Sequence, residues 1–144
     1  MRVHADRLNE PFDINSGAKL QLGSTAKLRI LITYLDIVED LYRRLGQLPP
    51  RDLHAAAAGA RDPLTRWAAD HLAGAPNHGL QPMLDAAMQR HYSGSPEEFF
   101  TGGGMHAFAN FEKWENSSSA SVGDAFAHSI NNVFIRVMRD ITGY

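Results

Sequence analysis

The sequence has 144 residues, of which 44% are hydrophobic and 21% charged, and its formal net charge at pH 7 is −2. This length suits one domain with a hydrophobic core. With 14 basic residues against 16 acidic ones, the chain lacks the positive surface that binds a nucleic-acid backbone, so we expect no nucleic-acid partner. The absence of cysteine excludes a disulfide framework, a thiolate zinc site and a cysteine nucleophile. No apolar run reaches the length of a transmembrane helix, and a soluble chain is expected.

The first part of the chain predicts a lead-in followed by a long helix. Turn-forming residues are scattered through residues 1–23 without a sustained period, which favours an extended or looped segment. From residue 24 to residue 45 the chain contains neither glycine nor proline, and apolar residues recur at helical spacing. The predicted buried face comprises Leu28, Leu31, Leu35, Val38 and Leu41.

Residues 46–100 are predicted to form a helical insert. Three helices are expected, over residues 51–58, 63–74 and 80–92, because each has apolar residues at helical spacing between glycine or proline breaks. The segment Ser95-Pro96-Glu97-Glu98 has the form of a capping box, which predicts a short helix that ends near Thr101.

The rest of the chain is predicted to contain a loop and two helices. Residues 101–121 are rich in glycine and serine, a composition typical of a loop. Ser121 with Asp124 predicts a capped helix to about His128. After a break near Ser129, a last helix is expected over residues 132–141. Its predicted inward residues are Val133, Phe134, Val137, Met138 and Ile141.

A serine and a lysine three residues apart, Ser24 and Lys27, begin the predicted long helix. Residues at this spacing share one face of a helix, so the hydroxyl and the amine come within reach of each other. Apolar surroundings would lower the pKa of the Lys27 amine and let it accept the serine proton, and the helix N-terminus would favour negative charge near Ser24. The plain alternative is a helix cap at Ser24 and an exposed lysine in the first turn.

Ser16 and Lys19 have the same spacing. Because they lie in the predicted lead-in, with no helix to fix the pair, we interpret this second match as fortuitous.

A second candidate motif, Ser129-Ile130-Asn131, lies between two predicted helices. Alternate residues of an extended tripeptide point to the same side, so the Ser129 hydroxyl could relay a proton while the Asn131 amide holds a substrate carbonyl. The alternative is again capping, because Ser129, Asn131 and Asn132 are residue types that are frequent at helix starts.

The segments around the two motifs carry a family resemblance. They are Gln21-Leu22-Gly23-Ser24-Thr25-Ala26-Lys27, followed by a long apolar helix, and Asp124-Ala125-Phe126-Ala127-His128-Ser129-Ile130-Asn131-Asn132-Val133-Phe134-Ile135-Arg136. In this order and with these flanks they resemble the transpeptidase domain of penicillin-binding proteins, especially of members that also carry a peptidoglycan glycosyltransferase domain.

The resemblance implies an acyl-serine mechanism on the D-Ala-D-Ala stem peptides of peptidoglycan, with β-lactams as alternative acylating agents. It gives the role of nucleophile to Ser24, of general base to Lys27, of proton relay to Ser129 and of substrate amide contact to Asn131. We expect no cofactor and no metal, since the seven histidines show no paired spacing on one helix face and the chain has no His-Glu-x-x-His motif. The expected fold is mainly α: the helical lobe of the α/β fold that penicillin-binding transpeptidases share with serine β-lactamases, with most of the sheet missing. The parent protein would be anchored in the bacterial inner membrane, with this domain on the periplasmic side.

The sequence also departs from this family. The third family motif, Lys-Ser/Thr-Gly, is absent from these 144 residues, because the lysines are at positions 19, 27 and 113 and none is followed by that pair. One oxyanion-hole donor is lost with it, and such a loss costs about 10²- to 10³-fold in rate. We therefore expect an inactive part of a catalytic domain that extends beyond both ends of the chain, with a tendency to self-associate.

Two other classes of protein stay open. The first is a non-catalytic helical module that binds a partner. The second, ranked lower, is a serine β-lactamase, which would need a carboxylate to activate the deacylating water, and the sequence places none.

Overall fold

The computed structural model describes residues 14–96, 98–101, 104–107 and 119–144, and for residues 14–24, 98–101 and 104–107 it describes the backbone path alone. The described residues form a mainly α-helical structure, as predicted. The helices are α1 (Ile14–Leu45), α2 (Pro50–Gly59), α3 (Pro63–Gly74), α4 (Leu80–Met88), α5 (Val122–Ala127) and α6 (Asn131–Gly143). The strands are β1 (His91–Ser93), β2 (Glu98–Thr101), β3 (Gly104–Ala107) and β4 (Ser119–Ser121). Within these ranges, no helix combines the length and apolarity that a membrane crossing requires.

Helix α1 begins at Ile14, well before the predicted start at Ser24. The prediction of an extended segment is therefore wrong for residues 14–23. Each glycine in a helix interior costs about 1 kcal/mol relative to alanine. The glycines at 17 and 23 are separated by a run of good helix formers, residues 18–22, which offsets that cost. Residues 1–13 of the predicted lead-in lie outside the described part of the chain.

One stripe of α1 faces the core. Leu31, Tyr34, Val38 and Leu41 are buried at helical spacing, and the helix packs against α3, α4 and α6. Leu28, which was predicted on this face, lies outside the stripe and is 45% exposed.

Helices α2 and α3 form as predicted and pack against each other. The Asp62 carboxylate caps α3 by accepting a hydrogen bond from the Thr65 N–H (2.7 Å), and Pro63 follows in the first turn.

The predictions for residues 89–121 need correction. Helix α4 ends at Met88 rather than near Tyr92, because residues 91–93 pair as strand β1 and alternate between exposed and buried. Residues 98–101 form strand β2 instead of a capped helix, and this segment contains two phenylalanines and a threonine, which favour strands. The predicted loop 101–121 contains strands β3 and β4. Residues 108–118, the greater part of that loop, lie outside the description.

The strands make two small antiparallel sheets. Strands β2 and β3 pair as a hairpin. Strand β1 pairs with β4 in the register His91 with Ser121, Tyr92 with Ala120 and Ser93 with Ser119, so that β4 leads directly into α5 beside β1.

The start of α5 follows the prediction. The Ser121 hydroxyl oxygen accepts from the Asp124 N–H (3.0 Å), and the same hydroxyl donates to Asp124 Oδ2 (2.7 Å). Helix α6 also forms, with Val133, Phe134 and Val137 buried as predicted. Met138 is 43% exposed, so its predicted inward position is wrong.

A buried polar stripe on α6, formed by Asn132, Arg136 and Asp140, fixes this helix against residues 90–94. The Asn132 amide donates to the Gly94 carbonyl (3.1 Å), and Arg136 Nη1 donates to the Ser93 carbonyl (2.9 Å). The Asp140 carboxylate accepts from the Tyr92 hydroxyl (2.8 Å). Side chains of α6 thereby donate hydrogen bonds to two backbone carbonyl groups at the end of the β1 segment.

Helices α1 and α6 run side by side in the same direction. At the beginning of the pair, Lys27 contacts Ser129, just before α6 starts. At the far end, the Tyr144 hydroxyl donates to Asp40 Oδ2 (2.7 Å) and accepts from Arg44 Nη2 (2.7 Å). This alignment brings the first candidate motif beside the second.

Candidate functional site

The candidate site lies where α1 meets the turn between α5 and α6. Lys27 Nζ donates a hydrogen bond of 2.6 Å to the backbone carbonyl oxygen of Ser129, although the two residues are 102 positions apart. Lys27 occupies the next position of the buried α1 stripe, four residues before Leu31, and is partly buried. The two sequence motifs therefore meet in the structure.

Ser24 lies one turn before Lys27 on α1. Since three residues correspond to a rise of about 4.5 Å and nearly one full turn, Ser24 and Lys27 share a face of this helix. The side chain of Ser24 lies outside the description. Because α1 begins at Ile14, Ser24 is in the helix interior, so both the predicted benefit from a helix N-terminus and the alternative of a helix cap are wrong.

The interpretation of Ser16 and Lys19 also changes. Both residues belong to α1, so the reason for setting them aside, the lack of a helix, does not hold. Ser16 is eight residues before Ser24, which places it about 12 Å further along the helix axis. Of the two serine–lysine pairs, Ser24 and Lys27 form the one whose lysine contacts the Ser129 turn.

The turn at Ser129 has the form of a Schellman motif at the end of α5. The Ser129 N–H donates to the Phe126 carbonyl (3.3 Å), and the Ile130 N–H donates to the Ala125 carbonyl (2.9 Å). Ser129 has a φ of 58°, the one positive φ among the described non-glycine residues. The side chain of Ser129 is exposed, whereas Ile130 is 2% exposed and anchors the turn in the core.

Asn131 is the first residue of α6 and is partly buried. The N-cap position belongs to Ile130, which makes no side-chain capping bond. The capping alternative for Ser129 and Asn131 is therefore not what the backbone adopts. The predicted extended tripeptide is also wrong, because Ser129 is left-handed and Asn131 is already helical.

This arrangement can orient an amine. The 2.6 Å hydrogen bond from Nζ to the Ser129 carbonyl oxygen uses one N–H of the Lys27 amine and so limits the directions in which the rest of the amine can point. The hydroxyl of an exposed serine lies on the same turn. The described residues contain no group of three metal-ligating side chains.

A buried polar cluster lies behind β1 and was not predicted from the sequence. Arg90 Nη2 lies 3.3 Å from Asp140 Oδ2, and the guanidinium stacks over the rings of Trp67 (5.1 Å) and Tyr92 (5.0 Å). Burial raises the pKa of Tyr92 far above its ordinary value and also raises that of Tyr34. A sequence signal does exist for part of this cluster, since Asn132, Arg136 and Asp140 follow each other at four-residue spacing.

Two open grooves lie on the α2–α3 surface. One, of about 510 Å³, is lined by Pro63, Arg66, Trp67, Asp70 and His71. The other, of about 390 Å³, shares Arg66 and Asp70 with it. Burial lowers the pKa of His71, which stacks on Trp67 with ring centroids 5.6 Å apart. The described residues that line these two grooves belong to α2 and α3, and neither Lys27 nor Ser129 is among them.

The described geometry places Lys27 of the first candidate motif against the Ser-x-Asn turn of the second. Comparison with known proteins adds no relative: no protein-family model, no curated protein and no solved structure matches this chain.

Proposed function

We propose that this chain is the helical lobe of a penicillin-binding transpeptidase domain, which forms an acyl-serine intermediate with peptidoglycan stem peptides or β-lactams. The observation that carries the proposal is the 2.6 Å hydrogen bond from Lys27 to the Ser129 carbonyl. This contact joins two motifs that the resemblance requires to meet and that are far apart in the sequence. An arbitrary pair of such motifs would have no reason to be adjacent.

The proposed reaction uses four residues. The Ser24 oxygen attacks the carbonyl carbon of the peptide bond between the two D-Ala residues, or that of a β-lactam ring, while its proton passes to the neutral Lys27 amine. As the tetrahedral intermediate collapses, the C–N bond breaks. The leaving nitrogen takes the proton that Lys27 accepted from Ser24, relayed through the Ser129 hydroxyl, while the Asn131 amide holds the acyl part of the substrate. An incoming amine then releases the acyl group and regenerates Ser24.

The same resemblance supports a larger proposal for the parent protein. It would carry a peptidoglycan glycosyltransferase domain and be anchored in the inner membrane, with this domain on the periplasmic side. A Lys-Ser/Thr-Gly strand outside these 144 residues would supply the second oxyanion-hole donor.

The test uses the complete gene product and a fluorescent penicillin. We expect a covalent adduct of one penicillin per chain, detected by intact mass spectrometry and mapped to Ser24 by peptide analysis. Ser24→Ala should abolish the adduct. Ser16→Ala is the matched control, because Ser16 has the same spacing to a lysine on the same helix, and it should be labelled like the wild type.

Two results would refute the proposal. One is an adduct that persists in Ser24→Ala. The other is a folded complete gene product that stays unmodified, which would favour the alternative of a non-catalytic binding module.

A further inference from the structure

Position 129 carries a serine where the backbone favours glycine. It is the C′ position of the Schellman motif that ends α5, with a φ of 58°. In this left-handed conformation the Cβ of an L-residue crowds the following carbonyl, which is why glycine is the usual choice there. The serine is therefore kept at a cost to stability.

Contacts on both sides hold this turn in place. On one side Ile130, directly after Ser129, is buried and so anchors the turn in the hydrophobic core. On the other side, Lys27 donates to the Ser129 carbonyl from the rigid, core-facing stripe of α1. His128 and Ser129 are themselves exposed, so the core does not enclose this part of the turn.

We propose that Lys27 is a positioning residue as well as a base: it holds the strained turn by the Ser129 carbonyl and so leaves the Ser129 hydroxyl free for the substrate. A neutral amine has two N–H groups and one lone pair. One N–H keeps the carbonyl contact while the lone pair accepts the proton of Ser24. The catalytic part of this inference rests on the proposed function, whereas the contact itself does not.

The first test compares two substitutions that both remove the hydroxyl. Ser129→Gly removes the crowded Cβ and Ser129→Ala keeps it, so the unfolding equilibrium constant of the glycine variant should be about 5-fold lower in urea titrations. Ala127→Gly is the control two residues earlier. Ala127 is the last residue of α5 and does not have a positive φ, so glycine there should raise the same constant, by up to about 3-fold. A glycine variant at 129 that is no more stable than the alanine variant refutes the strain.

The second test separates the positioning role of Lys27 from its role as a base. Lys27→Met removes the donor, so the Ser129 and Ile130 amides should exchange hydrogen about 5-fold faster. Lys27→Arg keeps a donor and should restore slow exchange. It should not restore penicillin acylation of the complete gene product, because arginine stays protonated and cannot accept a proton.

The outcomes distinguish the two proposals. Unchanged exchange in Lys27→Met would overturn the positioning role and leave the proposed function standing. Normal acylation in Lys27→Arg would overturn the role of Lys27 as a base and leave the positioning role standing.

Discussion

At the scale of single residues, the stability of this fold depends on keeping the buried charge of Arg90 paired with that of Asp140. The side chain of Arg90 and that of Asp140 are 16% and 8% exposed, so either charge would be poorly hydrated if its partner were lost. Buried pairs contribute little net stability, but breaking one leaves an uncompensated charge in the interior.

Asp140→Asn tests this dependence. The amide oxygen can still accept from Tyr92, while the countercharge of Arg90 disappears, so the free energy of unfolding should fall by about 3 kcal/mol. Urea titration of the wild type and the variant measures this difference in the free energy of unfolding. Asp40→Asn is the matched control, because Asp40 pairs with Arg44 at the surface, where both side chains are 54% exposed, and its loss should cost about 1 kcal/mol or less. Equal losses in the two variants would contradict the prediction.

Tyr34 and Tyr92 predict a decline of stability at alkaline pH. Burial raises the pKa of both hydroxyls, whereas a tyrosine in the unfolded chain ionises near pH 10. Their contribution is therefore fully present below about pH 10 and is lost as the pH rises above it, by up to about 1.4 kcal/mol per pH unit for each tyrosine while it stays protonated in the folded protein.

Tyr92→Phe should lower this slope by up to about 1.4 kcal/mol per pH unit between about pH 10 and pH 11.5, whatever its effect on stability at neutral pH. Urea titrations across this range measure the slope. A Tyr92→Phe slope equal to that of the wild type would contradict the role of burial.

The residue types of the site could be predicted from sequence, but its contact could not. The spacing of Ser24 and Lys27 and the Ser-x-Asn pattern consist of residue types, which can be read directly from the sequence. The acceptor of Lys27 is a backbone carbonyl, and backbone atoms are the same at every position. The left-handed turn was also hidden, because its usual signal is a glycine and this chain has a serine there.

At the scale of elements, short helices depend on their caps. Helix α5 has six residues and closes few internal hydrogen bonds, so the Ser121 cap is a large part of its local stability. The same cap determines where the chain leaves β4 and turns toward Ser129.

Ser121→Ala should therefore destabilise the protein by about 1 kcal/mol, because the Asp124 N–H loses its acceptor. The amides of α5 should also exchange faster than those of α3. Ser119→Ala, in the same strand but exposed, should change stability by less than about 0.5 kcal/mol. If the two variants behave alike, the cap does not control this helix.

The early start of α1 can be tested at Gly23. If residue 23 lies in a helix interior, Gly23→Ala should stabilise the protein by about 1 kcal/mol. An extended segment would show no such gain. Thermal unfolding followed by circular dichroism measures both the stability and the helix content.

Helices were more predictable than strands for a physical reason. A helix contains its own hydrogen bonds and repeats its apolar spacing, so α2 and α3 were visible within short segments. Strand β1 has three residues and depends on β4, which comes much later in the chain. The residues near β1 carry no pattern that identifies so distant a partner. Most of the segment His91–Ser93 was therefore predicted as part of the preceding helix.

At the scale of the whole molecule, the 144-residue chain is expected to react slowly with β-lactams. In the proposed mechanism a Lys-Ser/Thr-Gly segment supplies one oxyanion donor, and these 144 residues contain no such segment, so acylation should be at least about 10²-fold slower than in the complete gene product that we propose. Time-resolved intact mass spectrometry compares the two. Rapid stoichiometric labelling of the 144-residue chain at Ser24 would contradict this expectation.

The alignment of α1 with α6 also has a consequence for how the protein folds. The contacts at the two ends of the pair join residues 102 and 104 positions apart, whereas α2 and α3 are neighbours in the chain. Closing so long a loop carries a large entropic cost, so the α2–α3 hairpin should form early and the α1–α6 contacts late on the folding pathway. Substitutions at Tyr144 should then accelerate unfolding and leave the refolding rate almost unchanged.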